Sequence, residues 1–221
     1  MKFFDSFTHS EQWVVFKDQP IIWGQRMDLS AKYNHLLRDY IERMDWAGLF
    51  DIPPVAFCQL VKLFYSNLRS DDDPTHGYYL MSYVKGVEMI ISVSTLAQIL
   101  HIPSGSELIY FLDNLALQTI IKPNEFYELL TGESGFRGTL EAKDLHPNIK
   151  LLNRYLSENV VQKGRHHDEV KLFQSYLLYI ILKNGSFSLP YLMLREMAAA
   201  STNPKRSPSI WGFIDQGVST F

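Results

Sequence analysis

The stretch from Leu60 to Leu100, LVKLFYSNLRSDDDPTHGYYLMSYVKGVEMIISVSTLAQIL, constrains the fold more than any other, because a helix end, a hairpin and a second helix start follow one another within it. Tyr78 to Val84 and Val87 to Val93 are rich in β-branched and aromatic residues and flank the pair Lys85-Gly86, the pattern of two antiparallel strands and a tight turn. A two-residue turn sets Val84 against Val87, Ser82 against Met89 and Leu80 against Ile91, so one mostly apolar face forms. Lysine is a poor residue for the positive-φ first position of a type I′ turn, and a longer turn with Gly86 in the left-handed conformation is the alternative. A lone hairpin is marginal in water and needs helical cover.

The flanks offer that cover. Pro53 and Pro54 fit the first turn of a helix that continues through Phe57, Cys58, Leu60, Val61, Phe64, Tyr65 and Leu68, an apolar face broad enough to need cover from two sides. Ser70 to Gly77, with three aspartates, Pro74 and Gly77, reads as a loop. Thr95 and Gln98 fit a capping box that opens a short helix, stopped by Ile102-Pro103-Ser104-Gly105.

Periodicity extends the helical reading to both ends. Tyr33, Leu36, Leu37, Tyr40, Ile41 and Met44 form one apolar stripe on a helix from about Ala31 to Trp46, with Lys32, Arg38, Asp39, Glu42 and Arg43 opposite and Gly48 as its stop. Weaker patterns predict helices near Asn114 to Ile121 and Asn124 to Leu130, followed by a glycine-bearing loop from Gly132 to Gly138. Three more helices are marked by Leu151, Leu152, Tyr155, Leu156 and Val160 after Pro147, by Val170, Phe173, Leu177 and Ile180 before Asn184-Gly185, and by Leu189, Leu192, Met193 and Met197. Pro204 and Pro208 bound a tail whose Ile210, Trp211 and Phe213 are expected to dock back. The predicted fold class is mainly α, within α+β: a multi-helix bundle with one small β-hairpin. One domain is expected over 1–221, with its core at about 30–200, an N-terminal extension 1–29 and a C-terminal tail 204–221.

A chain of 221 residues can bury roughly 70% of its unfolded surface without disulfides. The single Cys58 lies in an apolar helical pattern and is expected to be a buried thiol in a reducing compartment. No apolar run is long enough to span a bilayer, and the N-terminus lacks a signal-peptide core, so an intracellular protein, cytoplasmic or nuclear, is expected. The net charge of −3 is unevenly spread: residues 1–142 hold 11 Lys and Arg against 18 Asp and Glu, whereas 143–206 hold 10 against 5. Such asymmetry suits an acidic partner, nucleic acid, or mutual attraction of the two parts within one fold.

No constellation for catalysis emerges. Asp71, Asp72 and Asp73 are adjacent and would splay apart in a turn instead of converging on metal ions. One cysteine excludes the usual zinc-ligand patterns. In His166-His167-Asp168-Glu169 the histidines diverge by about 100° on a helix, and the acids better complement a helix start. His101 and Ser104 lack a nucleophile elbow and an orienting acid, and Gly132 to Gly135 lacks the Gly-Lys-Ser/Thr ending of a phosphate loop. No cofactor, metal or small-molecule substrate is expected. Lys150, Arg154, Lys163 and Arg165 are the candidate surface for nucleic acid or a partner; the alternative is an ordinary solvated helix face.

The order of features carries a resemblance. Leu60, Val61, Phe64, Tyr65, Asn67 and Leu68 at a helix end, an acidic loop, the turn Val84 to Val87 and the stop Ile99-Leu100-His101-Ile102-Pro103 resemble the domain family called "putative plant transposon protein", found in envelope-like or additional reading frames of plant LTR retrotransposons. The likeness continues through Leu145-His146-Pro147 and the Leu177 to Gly185 helix end, over roughly residues 30–200, with Lys85-Gly86 where the family commonly has Arg-Gly. It implies a retroelement origin and brings no established reaction. A non-enzymatic interaction or assembly domain, engaging a protein partner or itself, is therefore expected, with nucleic-acid binding through the basic C-terminal third as the alternative.

Overall fold

In Leu37 and Ile41 the apolar stripe of the first long helical pattern is buried, while Arg38, Asp39, Glu42 and Arg43 remain in solvent, so periodicity and burial agree where the chain can be followed. A computed structural model describes residues 7–23, 35–51, 57–75, 77–105, 122–135, 140–161, 170–185, 187–203 and 209–210. Among them are eight α-helices and a three-stranded antiparallel sheet, so the fold is mainly α with a minor β part. The helices are α1 (Phe7–Phe16), α2 (His35–Arg43), α3 (Cys58–Ser66), α4 (Val93–Leu100), α5 (Pro123–Thr131), α6 (Pro147–Asn159), α7 (Leu172–Leu182) and α8 (Leu189–Thr202). The strands are β1 (Ile22–Trp23), β2 (Arg69–Asp73), β3 (Gly77–Val84), β4 (Val87–Ser92) and β5 (Ser209–Ile210). The helix expected at Asn114 to Ile121, the Pro53-Pro54 start and Trp211 and Phe213 lie outside the described residues.

Contacts divide the chain into two units, each assembled from stretches far apart in sequence. The first comprises Met1–Gly24, Ala47–Ser104 and Leu189–Phe221. The hairpin forms in the expected register, Val84 opposite Val87, Ser82 opposite Met89 and Leu80 opposite Ile91. Lys85 and Gly86 both take positive φ, 49° and 94°, so the turn is the two-residue kind despite the lysine. Tyr78, Leu80, Ser82 and Val84 are buried on one face of β3, where α3, α4 and α8 pack. Helix α3 is also covered by α1, which places Phe16 6.1 Å from the Tyr65 ring. The backbone of Ser209–Ile210 pairs in parallel with Ile22–Trp23, anchoring the described part of the tail.

Four local expectations are corrected here. Arg69–Asp73 is not a loop but an edge strand, in full antiparallel register with β3 from Arg69 opposite Met81 to Asp73 opposite Gly77. Asp71 and Asp72 stay exposed to water, since among the described residues β2 pairs with β3 alone, and that neighbouring backbone supplies the ladder that its own propensity does not. Helix α4 is capped three residues earlier than the capping box suggested: extended Ser92 accepts the Thr95 N–H at 3.1 Å, so the strand runs straight into the helix. Gly48 does not end α2, which stops at Arg43 before Asp45 adopts a φ of 56°. Buried Gly48 belongs to a 3-10 turn, and a Cβ there would lie 2.6 Å from the His101 carbonyl oxygen and closer still to that of Leu100. Cys58 is exposed, as is Phe57, because both stand at the first turn of α3, ahead of the point where its buried face begins at Leu60.

The second unit, Gln25–Trp46 and Gly105–Ser188, centres on α7, which packs against α5 and α6, with α2 against α6. Gln174 to Leu178 are all buried, so α7 is enclosed on more than one side. Phe126 meets Tyr176 edge to face at 5.5 Å, and Trp46 meets Phe187 at 5.4 Å. Arg43 donates from Nη2 to the Ile181 carbonyl at 2.9 Å, tying the end of α2 to that of α7. A buried polar contact joins α6 to α7: Gln174 Nε2 donates to Ser157 Oγ, and the Ser157 hydroxyl donates to the Asn153 carbonyl at 2.7 Å.

Candidate functional site

Side chains alternate across a strand, so burying Tyr78, Leu80, Ser82 and Val84 turns Gly77, Tyr79, Met81 and Tyr83 to the other face of the sheet. Register then builds that face row by row: Arg69, Met81 and Ile90 lie side by side, as do Asp71, Tyr79 and Ser92, and Tyr83 sits beside Glu88. An apolar and aromatic centre thus has acids at one end and an arginine and glutamate at the other. Tyr79 donates its hydroxyl to Asp71 Oδ2 at 3.1 Å, which holds the phenol above its ordinary pKa range because ionisation would place two anions together.

At the other end a shallow cavity of about 200 Å³ is lined by Asn67, Arg69, Met81, Ser82, Tyr83 and Glu88. Its floor is fixed by two buried side chains. Asn67, at the C-terminus of α3, donates from Nδ2 to the Leu63 carbonyl at 3.0 Å and to that of Tyr83 at 2.7 Å. Ser82 donates from Oγ to the Phe64 carbonyl at 2.7 Å, so helix end and strand are joined twice. Behind the sheet, the Tyr191 ring is tilted against that of Tyr78 with centroids 5.3 Å apart, and burial pushes the Tyr78 phenol up.

The two edges of the sheet differ. On β2 the run Ser-Asp-Asp-Asp sets charge on both faces. On β4, among the described residues, only β3 pairs, the sole charge is Glu88, and Val87 and Ile90 are 43% and 56% exposed.

The basic candidates fall elsewhere. Lys150 and Arg154 are both exposed on α6, one turn apart, so the structure brings these two onto one helix face. Arg154 Nε lies 2.9 Å from Glu158 Oε1, an i, i+4 pair whose arginine is exposed and whose glutamate is mostly covered. Lys163 and Arg165 lie outside the described residues, as does the cluster His166 to Glu169.

Chemistry finds little to work with. Asp71, Asp72 and Asp73 alternate along β2, and among the described residues no group of three His, Cys, Asp or Glu could hold a metal ion. His101 is the left-handed C-cap of α4, with a φ of 52°. Gly132 caps the C-terminus of α5, the negative end of a helix and the wrong one for a phosphate. Among the described residues no helix is long and apolar enough to cross a membrane.

Sequence comparison places the chain. Residues 42–214 match the model of a family described as "Putative plant retrotransposon-related domain". The chain belongs to that family. The match runs from Glu42 at the end of α2 through the sheet and the basic third, so the retrotransposon-related domain takes in both the candidate face and Lys150 and Arg154. No curated protein and no solved structure shows a significant match.

The basic residues were legible as candidates from charge alone. The sheet face was not singled out, although the two-residue register already implied that Tyr79, Met81, Tyr83 and Ile90 would share a side.

Proposed function

We propose that this retrotransposon-related domain is a non-enzymatic interaction or assembly module working through a polypeptide docked on its three-stranded sheet. The observation that carries the reading is the solvent-side face of the sheet, where Ile90 is exposed and Tyr79, Met81 and Tyr83 are half-buried, beside an edge strand with little charge. Aromatic and methionine side chains rimmed by charge suit protein recognition, and an open edge adds main-chain hydrogen bonds to it. An intracellular setting agrees with the exposed, unbridged Cys58.

The test compares wild type with Met81→Lys in affinity capture from plant extract and in light scattering over a concentration series. Partners, or self-association, present with wild type and lost with Met81→Lys support the reading. A monomer whose retained proteins are identical for both chains refutes it.

A second reading is nucleic-acid binding through Lys150, Arg154, Lys163 and Arg165. It is favoured by the exposure of Lys150 and Arg154 on one face of α6 within a stretch carrying 10 basic against 5 acidic residues. Titration against DNA and RNA should give affinity that falls steeply with salt and weakens in Lys150→Glu. Absence of binding at low salt ends this reading.

A further inference from the structure

We propose that the partner surface of β4 is the β4 strand of a second copy of this chain, the two pairing antiparallel about a two-fold axis at Ile90. The inference rests on the assembly reading and names its partner.

The backbone groups available for pairing follow from the hairpin. In a two-residue turn Val84 and Val87 exchange both hydrogen bonds, so hydrogen-bonded and non-bonded pairs alternate from there: Ser82 with Met89 is bonded, and Tyr83 with Glu88 and Met81 with Ile90 are not. The N–H and C=O groups of Glu88 and Ile90 therefore point away from β3, toward the open edge. Asn67 supports this phase, since it reaches the Tyr83 carbonyl from the opposite side of β3. The side chains of Glu88 and Ile90 stand on the solvent face, and Ile90, at 56% exposure, is the most exposed large apolar residue of the sheet.

Symmetry leaves few registers. Directly opposed residues in an antiparallel pair share a face, so a two-fold axis must pass through a residue opposed to its own copy. Centring on Glu88 sets two carboxylates against each other, which is unfavourable. Centring on Met89 sets Glu88 against the copy's Ile90, leaving the exposed isoleucine beside a carboxylate. Centring on Ile90 makes Ile90 and its copy a mutually hydrogen-bonded pair in apolar contact and sets each Glu88 opposite a Ser92 hydroxyl. The sequence of β4 is self-complementary in this last register. The other edge of the same sheet, Ser-Asp-Asp-Asp, would bring like charges together if it paired with itself. One edge is closed to a second copy and the other open, giving a six-stranded sheet and a closed dimer, not a filament. Short strands bury little area, so the dimer is weak and concentration-dependent.

Cysteine scanning in a Cys58→Ser background tests the register, the native thiol being exposed. Ile90→Cys should form a disulfide dimer on mild oxidation, because hydrogen-bonded partners have Cα atoms about 5.5 Å apart, within bridging range. Glu88→Cys should not, since its copy lies four residues along the pair. Sedimentation of the uncrosslinked wild type should show a monomer–dimer equilibrium that Ile90→Lys abolishes while its helical circular dichroism and melting stay unchanged. Equal cross-linking of the two cysteine variants, or a dimer that survives Ile90→Lys, overturns the β4 inference and leaves the assembly reading standing. A monomeric wild type that still captures a partner through the Met81 face also overturns self-pairing, and only the loss of both results removes the assembly reading.

Discussion

Two phenylalanines seven residues apart on the same apolar pattern offer a sharp test of where the core of the first unit begins. Phe64 is 0% exposed and Phe57 is 60% exposed. Replacing Phe64 by alanine removes a ring that covers about 150 Å² of apolar surface or more, worth near 4 kcal/mol at about 25 cal/mol per Å². Loss of its edge-to-face contact with Tyr65, at 5.7 Å, acts in the same direction. The cavity cannot easily collapse, because α1, β3 and α8 enclose α3 and the Ser82 hydroxyl holds the Phe64 carbonyl in place. Phe64→Ala should therefore destabilise by about 3–5 kcal/mol. Phe57→Ala, losing a ring mostly in water, should stay within about 0.5 kcal/mol. For a chain of this size that separates the variants by roughly 6–20 °C in Tm. Thermal melting followed by circular dichroism, with urea unfolding as a check, reads the difference. Equal losses, or a larger loss for Phe57→Ala, would refute the placement of the buried face at Leu60 and beyond.

Gly48→Ala should destabilise by about 1–3 kcal/mol by urea unfolding, since the new methyl meets the Leu100 and His101 carbonyls, which are backbone and cannot swing aside; a gain from reduced chain entropy would contradict this packing. Ser92→Ala should cost about 1 kcal/mol through loss of the α4 cap, and Thr95→Ala less, because it keeps the N–H that Ser92 receives. Lys85→Asn should stabilise by up to about 1 kcal/mol, asparagine tolerating the left-handed turn position better than lysine. The hydrogen bond from Tyr179 to Glu125, 2.6 Å long, holds its pKa up at about 12 from 10.0. The neutral phenol is thus favoured in the folded state: its contribution is complete below pH 10 and is lost as pH rises toward 12, so a Tyr179→Phe chain should show a shallower alkaline loss of stability in melts across that window.

The hairpin register was legible because alternation and a two-residue turn leave no freedom: any one-residue slip would turn one strand over and carry Leu80 or Ile91 from the core to solvent. The third strand was not. Arg-Ser-Asp-Asp-Asp has almost no intrinsic preference for a strand, and it forms one because β3 presents a ladder to it and because its carboxylates stay hydrated. Ser92 was hidden by overlap, the last residue of a strand pattern serving also as the first cap of a helix. Periodicity told which way the middle of α3 faces but nothing of its first turn, hence Cys58 and Phe57. Gly48 looked like a helix stop, whereas its reason is the close passage of Leu100 and His101, far along the chain, which no local window contains. For the candidate sites, charge alone pointed to Lys150 and Arg154, but the partnership of Arg154 with Glu158 needed coordinates.

The same composition that hid β2 from a sequence reading is what distinguishes it from β4. Edge strands expose unpaired backbone, and a run of acids discourages pairing with another chain more effectively than it encourages a strand. In this sheet the discouragement falls on one edge alone, although β4 has room for it: Ile90 stands on the solvent face, 56% exposed, so a polar residue there would cost the core little. Stability of the folded unit gives little reason for an isoleucine at position 90, which stands on the solvent face and is 56% exposed. The proposed β4 pairing, which would cover Ile90, supplies one. On the proposed pairing, the edge that resists a second copy and the edge that would accept one belong to a single arrangement, in which the domain would dock through one strand.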